Sequence, residues 1–411
     1  MRKLLSLCIA LMILLALSVP AVAVEEAETP LLGMLACVPT LAFEDGWLSF
    51  ADYAVIKTQL PHAVNVGSAA EYNALTTPDA RSGAFQLLLA LSAGANSMLT
   101  NLGDPEAIAE ATGVDLFQVE QSLETGIPLD VHVWLTGPFD PAAVRRALAG
   151  RGYQQIAADA SPFDILAKDG DVSNGNAFDL TARDPNFIFG GNLGRSWPVA
   201  VDETMLIATP DDVLMRTLAA NTGAFLSENK ALTSLIKASG KAAETDRGVL
   251  AQLHVMTPAF LGLDVPDNPP QQTVMTQDNA NQPVVWHTLA IAHVYTQDAQ
   301  WVVLSLAFAN QKQAEAAAEV LEVRYRQARL SQQGEPKLSE VVANYHGSLQ
   351  TPRVVTEEGV PVLLMPIRFP KDEELETLLG KKGLPAQPFR IFTHMVMGRD
   401  LGWLSVRDWV Q

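Results

Sequence analysis

Cysteine is almost missing from this chain. Two occur in 411 residues, Cys8 and Cys37. Cys8 lies in an apolar N-terminal run that reads as a removable leader, which leaves Cys37 alone and closes no internal disulfide. Stability must therefore come from a packed core. No Asn-x-Ser/Thr glycosylation acceptor occurs either, and both shortages fit a bacterial source.

Basic clusters are missing too. Lys and Arg number 28 against 46 Asp and Glu, for a formal charge of −18. The densest basic group is Arg324, Arg326 and Arg329, in a helical pattern that also carries Glu315, Glu319 and Glu322. That is the composition of a solvated helix face. Without a basic surface the chain cannot neutralise phosphates, so nucleic acid is excluded as a partner.

Familiar catalytic motifs are absent. There is no Gly-x-Ser-x-Gly and no His-Glu-x-x-His. Ser234 to Lys237 fits Ser-x-x-Lys, as does Ser227 to Lys230, but the companion Ser-Asp-Asn and Lys-Thr-Gly elements are lacking. Gly190, Gly191 and Gly194 lead into Arg195-Ser196-Trp197-Pro198 rather than into a helix. They fail the context that a phosphate loop requires. Beyond residue 24 no apolar run is long enough to span a bilayer.

What is present begins with an export signal. Arg2 and Lys3 precede an uncharged apolar run, Leu4 to Val24, which ends in Ala21-Val22-Ala23. A positive start, an apolar middle and a small-x-small exit define a secretory signal over residues 1–23. The run is also near the length of an uncleaved anchor, but Pro20 and the cleavage site favour removal. Leu35-Ala36-Cys37 resembles the end of a lipobox, which would place a lipid anchor at Cys37. An acidic stretch separates it from the apolar run, so cleavage at Ala23 is the preferred reading. The expected location is secreted or extracytoplasmic, in the periplasm or at the cell surface.

The remainder has 48% hydrophobic and 18% charged residues, the balance of a globular protein. Residues 24–263 read as an N-terminal α+β region, opening with an irregular lead-in over 24–45. Residues 264–283, with Pro266, Pro269, Pro270 and Pro283 among Asp, Asn and Gln, read as a loop or linker. Residues 284–411 read as a C-terminal α+β region. Residues 71–125 have a helical pattern that includes the Leu87–Leu91 cluster and a helix start at Asp104-Pro105-Glu106. Asp115, Leu116, Val119 and Leu123 predict a capped helix closed by Gly126.

The period then changes to two. Val131, Val133 and Leu135 predict a strand, and Asp140-Pro141 opens a helix ended by Gly150. The same unit recurs at Val199–Ala208 with a helix restarting at Thr209-Pro210, and at Trp301–Phe308 with a helix capped by Asn310. Thr288–Tyr295 pairs with Trp301–Phe308 across a short polar turn, and Val354–Val355 with Val360–Arg368 in the same way. Leu250–Val255 and Val284–Val294 could also be neighbours. A helix over Asp372–Leu379, stopped by Gly380, is placed between the last two strand regions. Short turns join antiparallel strands, so the expected class is α+β: mostly antiparallel sheet with packed helices, preceded by a helical N-terminal segment.

The best ligand-like constellation is the loop from Asp169 to Asp179. Alternating Asp169, Asp171 and Ser173, with Asp179 beyond, supply oxygens of the kind calcium takes on a turning loop. The EF-hand pattern fails, because Gly175 is one position late and Leu180 stands where a glutamate belongs. Apart from this calcium reading no cofactor is expected. His287 and His293 share one face of a predicted strand but lie ~20 Å apart along it, too far for one zinc. His132 and His254 read as polar partners on sheets. The seven tryptophans read as core.

The functional expectation is a non-catalytic binding or interaction protein of the cell envelope or secreted space, with a protein or small-molecule ligand. Two alternatives stand beside it. One is a secreted hydrolase with a site assembled from distant residues; the other is a structural envelope component.

Overall fold

Strand-forming segments from residue 47 to residue 369 meet in one thirteen-stranded sheet. The computed structural model describes residues 30–59, 66–77, 80, 84, 104–127, 130–157, 161–241, 248–262, 284–330, 336–380, 387–398 and 400–404. The leader at 1–23, the Leu87–Leu91 cluster, the 264–283 segment and Trp409 lie outside the described residues.

The strands are β1 (Trp47–Asp52), β2 (Gln121–Thr125), β3 (His132–Thr136), β4 (Tyr153–Ile156), β5 (Asp164–Lys168), β6 (Val199–Val201), β7 (Met205–Ala208), β8 (Val249–Met256), β9 (Thr288–Tyr295), β10 (Gln300–Ala307), β11 (Ser348–Leu349), β12 (Arg353–Glu357) and β13 (Val360–Phe369). Their order is β11-β13-β10-β9-β8-β1-β2-β3-β7-β6-β5-β4, with β12 also on β13. Every pairing is antiparallel. The protein is therefore α+β with mostly antiparallel sheet. β8 and β9, which flank residues 264–283, are hydrogen-bonded neighbours.

Capping chemistry sets the helices. α1 (Pro30–Leu35), α2 (Tyr53–Gln59), α3 (Ala69–Ala74) and α4 (Pro105–Thr112) come first. Asp140 caps α5 (Pro141–Ala149) by accepting the Ala142 N–H, and Asn310 caps α8 (Gln311–Gln327) by accepting from Gln313. α6 (Asp212–Ala220) starts two residues later than Thr209-Pro210 suggests. Asp211 is its cap, taking the N–H groups of Val213 and Leu214. α7 (Lys230–Ser239) and α9 (Leu338–Asn344) follow in the chain. α10 (Asp372–Leu379) ends at Gly380 with φ of 63°, and α11 (Gln387–Met397), not a strand, follows it.

One predicted helix is a strand. Asp115 does cap, accepting from Phe117, but only a single 3₁₀ turn forms over Leu116–Gln118. Gln121–Thr125 then enters the sheet between β1 and β3. Ladder bonds on both sides outweigh the weak helical preference of Gln-Ser-Leu-Glu-Thr. Gly126, at φ 87°, turns the chain toward β3 instead of ending a helix.

Side chains alternate across each strand. One face of the sheet carries a continuous core, including Phe50, Leu123, Trp134, Ile207, Val255, Ala292, Val303 and Leu364, with Leu232, Leu235 and Ile236 of α7 packed on it. The opposite face carries two cores. One contains Tyr53, Val133, Leu135 and Leu206; the other contains Trp47, Ile291, Leu304 and Met365, with Leu321 of α8 and Phe389 of α11. Between them runs a buried polar stripe of Ser49, Ser122, Glu124, Gln252, His254 and His293. The register places Ser49 opposite both Glu124 and His254, and Gln252 opposite His293. Among the described residues no helix is long and apolar enough to cross a membrane.

Candidate functional site: the 169–198 loop

β5 and β6 are antiparallel neighbours, yet the chain between them runs from residue 169 to residue 198. Loops of this length inside a compact fold are usually functional or disordered. This one is ordered by its own side chains. Asp171 caps a 3₁₀ turn over Val172–Asn176, accepting the Ser173 N–H at 2.9 Å. Asn174 Nδ2 donates to the Lys168 carbonyl at 3.0 Å. Asp179 caps a second turn, Leu180–Ala182, accepting from the Thr181 N–H at 3.0 Å and its hydroxyl at 2.5 Å. Asp184 meets Arg151 at 2.6 Å. Phe187, Ile188, Phe189 and Trp197 are buried and root the loop in the core.

The glycines noted in the sequence serve the loop's own backbone. Gly190 and Gly194 have φ of 88° and 68°, a region that L side chains avoid. A Cβ on Gly194 would overlap the Asp179 carbonyl oxygen.

At the tip, Arg195 is 5% exposed and lays its guanidinium carbon 3.8 Å from the centroid of Phe178. Its Nη1 lies 3.5 Å from Asp130. The outer part of Phe178 stays open at 52% exposure, and Leu180 at 66%. Ile127, also exposed, accepts the Asp130 N–H at 2.9 Å. Val213 is exposed at the start of α6, where Arg216 reaches Asp212 at 3.5 Å and Asp171 at 4.0 Å. An apolar tip is thus set among carboxylates. Hydrogen bonds from the Ser173 backbone and side chain hold Asp171 below the usual carboxylate range, and those from the Thr181 hydroxyl and N–H do the same for Asp179. Both are ionised at neutral pH.

The calcium reading places its residues in this loop. Asp169, Asp171 and Ser173 lie at its start and Asp179 at the second turn. Asp171 and Asp179 each direct an oxygen to the N–H groups of their own turn. Among the described residues no three His, Cys, Asp or Glu side chains converge to hold a metal.

A second constellation lies in the polar stripe. His254 Nε2 is 3.0 Å from the Thr393 hydroxyl, which itself donates to the Phe389 carbonyl at 3.3 Å. His293 Nε2 is 3.0 Å from Gln300 Oε1. Gln300 donates onward to Asp372 and to the Pro370 carbonyl, both at 2.8 Å, and the Tyr295 hydroxyl donates to the other Asp372 oxygen at 2.8 Å. In both histidines the network assigns the proton to Nε2. Phe389 stacks on both rings, with centroids 5.0 Å from His254 and 5.5 Å from His293. Burial drives His254 to about 3 and His293 to about 4. These are neutral, enclosed groups that tie α10 and α11 to the sheet. His132 bonds Thr209 at 2.8 Å, while His287 is exposed just before β9.

Other sequence candidates stay apart. Ser234 is buried in α7, whereas Lys237 points to Glu358 at 2.5 Å. Six of the seven tryptophans fall within the described residues and all six are buried. At the other end of β6 and β7, a groove of about 450 Å³ is lined by Pro141, Pro162, Asp164, Asp202, Glu203 and Thr204. Asp164 is paired with Arg145, and Asp202 accepts from the N–H groups of Thr204 and Met205.

No protein-family model matches the chain, and no curated protein matches it. Among solved structures, crystal forms of the Treponema protein TP0453 align with it. Form III is 6% identical over 82% of this chain and 94% of that one, with a TM-score of 0.29. Form IV is 7% identical over 81% and 92%, with a TM-score of 0.30. Likeness at that level does not establish a shared fold.

Proposed function

We propose that this is an exported, non-catalytic binding or interaction protein, and that the end of the 169–198 loop is its contact surface. One observation carries the reading: Phe178 and Leu180 are open to solvent on an Asp179-capped turn, with the Phe178 ring resting on the buried guanidinium of Arg195. Exposed apolar side chains scattered singly mean little. Here an aromatic ring is braced by a buried guanidinium on a long ordered loop, the kind of rigid aromatic anchor that dominates interfaces. Ile127, also exposed, is linked to Arg195 through Asp130.

The hydrolase alternative draws no support from the histidines. His254 and His293 are enclosed under α11 and hold neutral imidazoles in fixed hydrogen bonds, whereas a general base must reach its substrate's proton. Export rests on the leader pattern.

A photo-cross-linking residue at position 180 tests the proposal in the source cells. It should give a discrete adduct, while the same residue at exposed Glu319 on α8 should not. Equal adducts at both positions, or none at 180, would remove the proposal's basis.

A further inference from the structure

We infer that the partner of this surface is a cationic amphipathic protein segment, whose apolar side chains cover Phe178 and Leu180 while its Lys or Arg side chains meet the surrounding carboxylates. The inference rests on the contact surface proposed above and adds the chemistry of its occupant.

The charge around the tip is one-sided. Residues 169–182 contain Asp169, Asp171 and Asp179 and no Lys or Arg. The nearby cations are already engaged. Arg195 is buried against Phe178 and Asp130, Arg216 lies between Asp171 and Asp212, and Arg183 donates to the Asn192 carbonyl at 2.7 Å. Their carboxylate partners still present much of their surface to solvent. The side chains of Asp130 and Asp171 are 60% and 54% exposed, and hydrogen bonds keep Asp171 and Asp179 ionised. An approaching cation therefore meets fixed negative charge beside open apolar surface. An anionic lipid face or a nucleic acid meets repulsion, reinforced by the formal charge of −18.

The geometry divides the labour. Phe178 has one face taken by Arg195 and the rest of the ring free for an apolar side chain. Asp179 follows Phe178 in the chain and Asp130 reaches the Arg195 that stacks on it, so acidic and apolar groups adjoin, which suits a segment whose apolar and basic residues lie on adjoining faces.

The test uses the full processed chain and three defined probes: a fluorescent Lys/Leu amphipathic peptide, its Glu/Leu counterpart, and phosphatidylglycerol vesicles. The Lys/Leu peptide should bind, and weaken as salt rises. The double variant Phe178→Ser, Leu180→Ser should weaken it about tenfold or more. Asp171→Asn with Asp179→Asn, which keeps a capping oxygen in each turn, should weaken binding and flatten the salt dependence. Glu315→Gln with Glu319→Gln on α8 should change neither. An equal loss in that control shows attraction to bulk charge alone and overturns the inference. Glu/Leu peptide or vesicle binding that requires Phe178 overturns the cationic assignment but leaves the contact surface standing. Failure of every probe, together with no adduct at position 180 in cells, removes both.

Discussion

The Asp179 N–H donates to the Gly194 carbonyl at 3.2 Å, and Gly194 sits so close to Asp179 that only a hydrogen fits on its Cα. This contact closes the 169–198 loop just below Phe178 and Leu180. Gly194→Val would add a clash and a strained φ together. A cost of about 1–3 kcal/mol is expected, concentrated in the loop because the buried residues 187–189 anchor its base independently. Hydrogen exchange should rise across residues 177–182 with the sheet strands unchanged. A uniform rise through the sheet would show that the contact is not local.

The same loop gives a prediction about metal. Asp171 and Asp179 answer backbone N–H groups of separate turns, and calcium needs several oxygens on one point. Melting curves recorded in calcium and in chelator should superimpose. A rise of several degrees in calcium that disappears in Asp171→Asn would show that the loop gathers its oxygens around the ion.

The histidine stripe makes stability depend on pH in a defined direction. His254 and His293 titrate in the folded protein at about 3 and about 4, against about 6.5 when unfolded. Below pH ~6.5 the unfolded chain binds protons that the folded one does not, so stability falls as pH falls, until the folded pKa values are passed. Between pH 7 and pH 5 each imidazole should remove about 2 kcal/mol. The carboxylates with lowered pKa values titrate below this window and act in the same direction. Denaturant midpoints across pH 5–7 measure the slope. His254→Met should flatten it, and an unchanged slope in that variant would contradict the assignment.

Processing at Cys37 would remove α1. Leu31, Met34 and Leu35 of that helix are fully or almost fully buried in the core shared with α7 and the sheet. Losing three such side chains costs about 4–9 kcal/mol as an upper estimate. A chain beginning at Cys37 should therefore unfold at a much lower denaturant concentration than one beginning at Val24. N-terminal sequencing of the protein from its source cells should find a start ahead of Pro30. Equal midpoints would show that α1 contributes nothing and would reopen lipidation at Cys37.

Local chemistry made part of this fold legible. The β9–β10 and β12–β13 hairpins, the Asp140 and Asn310 caps and the stop at Gly380 all depend on residues close in sequence. β1 and β2 did not announce themselves, and the polar stripe is the reason. Ser49, Ser122 and Glu124 face the buried centre of the sheet, so polar residues stand where a buried strand would carry apolar ones, and Gln121–Thr125 keeps Leu123 as its one apolar residue. The 169–198 loop stood out for its spaced aspartates, whose visible work is capping. What distinguishes it, the stacking of Arg195 on Phe178 across sixteen intervening residues, has no sequence period to betray it. The glycines at 190 and 194 were the available signal, since a glycine required by close approach marks an ordered loop.

On the proposed function, a partner covers the Phe178–Leu180 end of the loop in the source cells. Leu180→Cys, made in a Cys37→Ala background, allows its direct measurement by maleimide labelling. In the purified protein position 180 should react at the rate of an exposed thiol. In intact source cells the rate should drop severalfold, while Glu319→Cys in the same background reacts equally in both settings. Equal labelling of position 180 in cells and in purified protein would contradict the claim.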